Sequence, residues 1–165
     1  MPKMNRRGLL ASALGVAAGA ATTRASAQPL ADLMVTAAIR GSINPGEYGV
    51  RPGAPEDQSR AFRGMLEKAA AQDAPVFLPP GDYVLSNIRL PARTRLAGVP
   101  GATRIVHGGN GYLFAAEDAA LIDLSGLSFD GVNRPLGPQA QALVEMRRVV
   151  GFAMDRCEIA GRGGS

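Results

Sequence analysis

Asp130 and Asp155 are the residues of this chain whose type and spacing come nearest to a reaction. Each ends a similar string, L-S-G-L-S-F-D at 124–130 and V-V-G-F-A-M-D at 149–155, so that position 124 answers to 149 and 130 to 155. If that echo is structural, it places Gly126 over Gly151, Leu127 over Phe152 and Phe129 over Met154, and the two carboxylates one coil apart on the same face. Carboxylates that close repel unless a cation, a proton or an arginine compensates, and Arg134 and Arg156 stand close by in sequence. Two carboxyl groups separated by about 5 Å suit glycoside hydrolysis with retention, and by ~6.5 to 9.5 Å with inversion; adjacent coils fall near the lower value. Ca²⁺ between the two is the other chemistry open to them. Against both stands a plainer role: an Asp after a strand and before Gly commonly bonds its own backbone in a turn. Asp123, within the strand-like LIDL, is expected to face outward.

The other reactive side chains are solitary. His107, in V-H-G-G-N, carries a group able to titrate near neutrality, yet its glycine-rich setting reads as a turn or surface position. Cys157 is the single cysteine, which excludes an intrachain disulfide and reads as a small buried filler. One His and one Cys cannot supply a zinc cluster. A G-x-S-x-G elbow and a phosphate-cradling glycine loop with Lys are absent from the sequence. Asn110 and Asn133 are candidates for stacked ladders.

Charge excludes another class. The chain of 165 residues has a formal charge of +4 and a pI near 9.8, but Lys3, Arg6, Arg7 and Arg24 lie in the segment 1–27 with no acid beside them. From Gln28 onward 14 basic residues face 14 acidic ones. With no Trp and three Tyr, the basic and aromatic pattern of a nucleic-acid surface is missing, and no nucleic-acid partner is expected.

The elements that must position these residues are short strands. VFL (76–78), YVL (83–85), IRL (88–90) and TRLAG (94–98) follow one another with only Pro, Gly and Asn turns between, too close for crossover helices. TRIV (103–106), YLF (112–114), LIDL (121–124), LSFDG (127–131), LVEM (143–146), GFAM (151–154) and RCEI (156–159) continue the series. Three strand-like pieces to each period of the 124-to-149 echo is the pattern of a parallel β-solenoid, in which each coil buries its apolar face only by stacking on the next. The segment 131–142 reads as a loop projecting from one corner. A single helix is predicted from Gln58 to Ala71: Pro55, Glu56 and Asp57 give start signals, Ala61, Phe62, Met65, Leu66, Ala69 and Ala70 fall on one face, and Pro75 forbids continuation.

The segment 1–27 reads as an address. A basic start, a mildly apolar stretch from Gly8 to Ala21 and the A-x-A site Ala25-Ser26-Ala27 predict cleavage between Ala27 and Gln28. A membrane anchor asks for about 20 apolar residues, more than this stretch offers. Arg6 and Arg7 followed by Gly8-Leu9-Leu10 resemble the twin-arginine signal N-R-R-x-L-L, whose reader is the twin-arginine translocase. The expected destination is periplasmic or secreted, with no membrane contact after cleavage.

EYGVRPGAPEDQSRAFRGML, APVFLPPGDYVLS and TRLAGVPGATRI, in this order, resemble the N-terminal part of the pectate-lyase-like superfamily of single-stranded right-handed parallel β-helices, which includes polygalacturonases and phage tailspike-type proteins. The resemblance spans about positions 43–131. Joined to the signal, the whole chain is similar to the twin-arginine-translocated repeat proteins of bacteria. What the resemblance implies is a mainly β fold, a right-handed parallel β-helix with an N-terminal capping helix. Pectate lyases hold Ca²⁺ with clustered Asp beside an Arg or Lys base, and polygalacturonases carry N-T-D, D-D, G-H-G and R-I-K motifs; none of these four occurs here. The expected layout is a signal at 1–27, an unassigned lead-in at 28–42 and the β-helix domain at 43–165. The sequence stops just after RCEI with no cap of the far end, so a β-helix incomplete at its C-terminus is expected. The functional expectation is an exported β-helix repeat protein with a carbohydrate-binding surface. The alternatives are a polysaccharide lyase or glycoside hydrolase with catalytic coils beyond this chain, and a structural cell-envelope protein that assembles through the open end.

Overall fold

Every strand pairs in parallel with a strand one coil away in the computed structural model, which describes residues 41–134, 136–138 and 140–161. Along the chain run β1 (Val76–Phe77), β2 (Gly81–Leu85), β3 (Ile88–Arg89), β4 (Arg95–Ala97), β5 (Thr103–His107), β6 (Phe114–Glu117), β7 (Ala120–Ser125), β8 (Ser128–Asp130), β9 (Val144–Arg147), β10 (Val150–Asp155) and β11 (Glu158–Ala160). They form three sheets, ordered β1-β4-β7-β10, β2-β5-β8-β11 and β3-β6-β9. Among the described residues the architecture is a parallel β-helix preceded by a short 3-10 turn at Pro45–Tyr48 and one α-helix. Arg6 and Arg7, expected to form a signal, Ala27 and Gln28, expected to flank its cleavage, and nearly all of the expected lead-in lie outside the described residues.

Period-two alternation turns these short runs into a core. In β5 Thr103, Ile105 and His107 are buried while Arg104 is exposed. Parallel register then stacks inward residues of successive coils into apolar rows. One row is Val76, Leu96, Leu124 and Met154; a second is Tyr83, Ile105, Phe129 and Ile159; a third is Ile88, Phe114 and Val144. Each such side chain contributes roughly 1.5 to 3 kcal/mol when fully buried. The buried polar groups in these rows find backbone carbonyls: Tyr83 Oη donates to Pro79 O at 2.9 Å and Thr103 Oγ1 to Leu78 O at 3.2 Å. Burial pushes the Tyr83 phenol up to about 12, so it remains a donor.

The helix, α1, runs Ser59–Ala71, one position short of expectation at its start. Its cap differs from the usual pattern. Gln58 at the N-cap position spends its amide on both backbone groups of Arg51, and Asp57 Oδ1 instead accepts the Ser59 N–H at 2.8 Å. Asp57 Oδ2 also accepts the Ser86 hydroxyl at 2.7 Å, and Ser59 Oγ accepts the Ser86 N–H at 2.7 Å. The helix start is thereby tied to the corner after β2. Burial pushes the Asp57 carboxyl up, but the bonds from Ser59 and Ser86 prevail and hold it below its ordinary value. Phe62, Met65, Leu66 and Ala69 are all buried, and α1 packs against β2 and β3 of the first coil. This places the helix over one mouth of the stack, as expected.

The corners carry a regularity that the sequence did not announce. Arg93, Leu121 and Gly151 all have φ in or near the left-handed region, at 63°, 59° and 76°, and successive coils place them over one another. Asp118 and Arg148 form a second such stack, and Gly126 and Arg156 a third. Three strands also start two residues from expectation: β2 starts early, at Gly81, because Gly81 and Asp82 already pair with Thr103 and Arg104. β6 starts at Phe114, because Tyr112 and Leu113 complete a corner, and β11 starts at Glu158, because Arg156 is itself a corner residue.

Candidate functional site

The β3-β6-β9 sheet turns Ile88, Phe114, Ala116, Val144 and Met146 toward the core and leaves Arg89, Ala115, Glu117, Glu145 and Arg147 on its outer side. Register makes one outer row Arg89, Ala115, Glu145, and a second pair Glu117 with Arg147. Ala115 is the small member between two long charged side chains. Over it lies a groove of about 530 Å³, bordered by Asn87, Asn110 and Tyr112 at one corner and by Gly137, Pro138 and Ala140 of the long loop.

Three charged groups of this groove, Glu117, Glu145 and Arg147, are held by hydrogen bonds. Glu145, whose side chain is only 11% exposed, accepts the N–H groups of Gln141 and Ala142 at 2.5 and 3.2 Å through Oε1, and Arg147 at 3.3 Å through Oε2. It therefore anchors the returning end of the loop. Glu117 Oε1 accepts from Arg148 at 2.7 Å, and the Asn87 amide donates to Asn110 O at 3.0 Å. The arrangement offers hydrogen-bond donors and acceptors beside the ring of Tyr112. Its carboxylates are already bonded, a state that serves recognition better than proton transfer.

Compared with known protein families, curated proteins and solved structures, the chain matches none of them. Its functional reading therefore rests on its own residues.

The two candidate aspartates are not brought together. Asp130 stacks on Ala160 and Asp155 on Ser125, so the register sets position 130 over 160, where the echo required 155. The loop at 131–142 lengthens the third coil, and the repeated string reflects shared apolar alternation without shared position. Asp130 accepts the Val132 N–H at 2.8 Å, a turn-forming bond, and an Arg104 guanidinium N–H at 3.3 Å. Asp155 accepts from Arg156 at 2.8 Å and is largely exposed. The pair does not fit a carboxylate dyad or a Ca²⁺ site, and among the described residues no group of three or more His, Cys, Asp and Glu is placed to hold a metal.

His107 is a further correction. It is no surface or turn residue, being 1% exposed at the inward end of β5. Asp123 faces outward as expected. Cys157 is half-buried, with Sγ donating to Leu124 O at 3.5 Å, and burial pushes its thiol up, away from nucleophilic use. Asn110 has φ 68° and serves as a corner acceptor for Asn87. The groove residues Arg89 and Glu145 were missed, although both are polar residues at outward positions of otherwise apolar strands, a signal that alternation alone provides.

Proposed function

We propose that the chain is an exported β-helix protein of the twin-arginine-translocated repeat type that binds an extended saccharide along the groove of β3, β6 and β9. The twin-arginine translocase reading of Arg6 and Arg7, cleavage between Ala27 and Gln28, and a periplasmic or secreted destination belong to this proposal. The observation that carries it is Ala115, recessed between Arg89 and Glu145 and beside Tyr112. A sugar presents hydroxyls that need both donors and acceptors, and C–H faces that pack on an aromatic ring, and this groove supplies all three. The test is calorimetric titration of the purified chain from Gln28 with neutral and uronic-acid oligosaccharides. Ala115→Arg, which fills the floor, is expected to weaken binding at least about tenfold, and Arg60→Ala on the exposed side of α1 to leave it unchanged. Absence of heat with every oligosaccharide, or equal binding by Ala115→Arg, overturns the reading.

A second reading, assembly through the open end, is favoured by the last coil. Among the described residues β9, β10 and β11 are the outermost strands of their sheets, and the inward positions Phe152 and Ile159 are 41% and 59% exposed. A strand edge beside an exposed apolar surface is a template for pairing. The occupant proposed is the same surface of a second copy, since among the described residues α1 covers the opposite end. Sedimentation velocity over a range of concentrations is expected to show self-association that Phe152→Glu with Ile159→Lys abolishes. A monomer at all concentrations removes this reading and leaves the groove untouched.

A further inference from the structure

The interior of a β-solenoid has little use for an ionisable group, and this chain places its single histidine there. His107 follows the inward residues Thr103 and Ile105 on β5 and stacks on the Leu85 position of the coil before. In the coil after, the Val106–Asp130 pair is followed by Gly131, which brings no side chain over the imidazole. Neither ring nitrogen has a hydrogen-bond partner among the described residues. The corner beyond it is held from outside: Arg134 donates to Gly108 O at 2.6 Å, and its guanidinium lies against Gly109. On the other side Asp57 Oδ2 lies against Gly108, engaged by Ser86, while Asp130 faces outward to Arg104. Leu85 and Val84 of β2 and Phe129 of β8 contribute no charge.

A proton on this imidazole has no acceptor among the described residues inside, and a guanidinium stands against the adjoining glycines. We propose that His107 is an acid trigger for the corner at Gly108–Gly111: protonation drives the ring outward and breaks the Arg134 clasp on Gly108. The step is a proton transfer from solvent to an imidazole nitrogen and nothing else. Its sign follows from linkage. Burial first, and Arg134 second, lower the folded-state pKa of His107 below its ordinary 6.5. The closed corner therefore has its full stability above about pH 6.5 and loses it as pH falls from there through the depressed folded value. Asn110 and Gly111 border the groove, so the same event reshapes one of its walls.

Because the chain holds one histidine, an NMR titration of the imidazole between about pH 8 and 4.5 reads the trigger directly. The expected midpoint lies below the ordinary 6.5. Amide protection factors at Gly108–Gly111 and Gly131–Arg134, corrected for intrinsic exchange, are expected to fall by up to about tenfold per pH unit below about 6.5, while those of β7 stay level. Arg134→Gln is expected to move the midpoint upward, and His107→Leu to abolish the pH dependence at the corner. A midpoint at or above the ordinary value, corner protection indifferent to the transition, or an unchanged midpoint in Arg134→Gln overturns the proposal. The last readout needs no core substitution, so a failure of His107→Leu to fold leaves the test intact.

Discussion

Phe114→Ala is expected to destabilise the fold by about 4 kcal/mol, in the range for removing a buried aromatic ring from a core. Phe114 has no exposed surface and sits where the cap meets the coils. Its ring lies 6.1 Å from that of Phe62 on α1 and 5.5 Å from that of Phe129 on β8, the latter edge-on at 74°. Removing it leaves a cavity bounded by the helix on one side and a parallel row on the other; the row cannot move in without breaking ladder hydrogen bonds, nor the helix without straining its ties to Arg51 and Ser86. For a domain with a total stability of roughly 5 to 15 kcal/mol, that is a large share. Phe152→Ala is the matched control, the same residue type on the exposed last coil, and is expected to cost less than about 1 kcal/mol. Urea unfolding midpoints of both variants read the difference. Equal losses, or a loss at Phe114 below that of the control, contradict the helix-capped stack.

What the sequence made legible was local. Alternation in T-R-I-V-H and A-L-I-D-L-S, together with Pro and Gly between runs, is enough to separate inward from outward faces, and the helix spacing gives a face of Ala61, Phe62, Met65, Leu66, Ala69 and Ala70, of which the outer two, Ala61 and Ala70, are only half-buried. Register is different, because it depends on how much chain each coil spends on its corners. Val76 pairs with Leu96, whereas Ala120 pairs with Val150, so the later coil is much the longer. An echo in composition therefore locates strands without locating stacks, and the Asp130 and Asp155 pairing failed for that reason. The corners were opaque because Arg93, Leu121, Arg148 and Arg156 occupy left-handed backbone without belonging to the residue types that signal it. His107 illustrates the opposite case. Its alternation with Thr103 and Ile105 pointed inward, but the Gly108-Gly109 that follows suggested a turn. Ala115 was invisible as a groove floor until Arg89 and Glu145 were seen on either side.

Outside the core, charge reinforces register. Asp82 lies directly opposite Arg104 in the next coil and binds it at 2.5 and 2.9 Å, which lowers the Asp82 carboxyl and raises the Arg104 guanidinium. Arg148 reaches back to Asp118 and Glu117 of the coil before. In-register stacking of like charges repels, and opposite charges across neighbouring strands relieve it. Exposed pairs of this kind are each worth only about 0 to 1 kcal/mol, so they select among alignments that the apolar rows already stabilise. A one-residue slip would bury the arginines and expose the rows.

Gly126→Ala tests that stack at a place where the backbones of two coils pass close together. Gly126 has φ +64°, and a Cβ there would lie 2.5 Å from the carbonyl oxygen of Gly98 and 3.1 Å from its carbon, both backbone atoms of the preceding coil. The obstacle cannot rotate away as a side chain would, so the two coils must separate or the corner must refold. Gly151 provides the comparison. Its φ is +76°, equally left-handed, but the nearest atom to an added Cβ is the tip of the Leu121 side chain at 3.3 Å. Leu121 itself occupies the stacked corner at φ 59°, which shows that a side chain is tolerated in that row. Gly151→Ala is therefore expected to cost only the conformational penalty of about 1 kcal/mol, and Gly126→Ala about 3 kcal/mol, the excess coming from the backbone clash. Chemical denaturation of the two variants side by side decides the matter. If they lose the same amount, left-handed strain alone accounts for both, and the close passage of Gly98 over Gly126 that fixes the spacing of these coils is refuted.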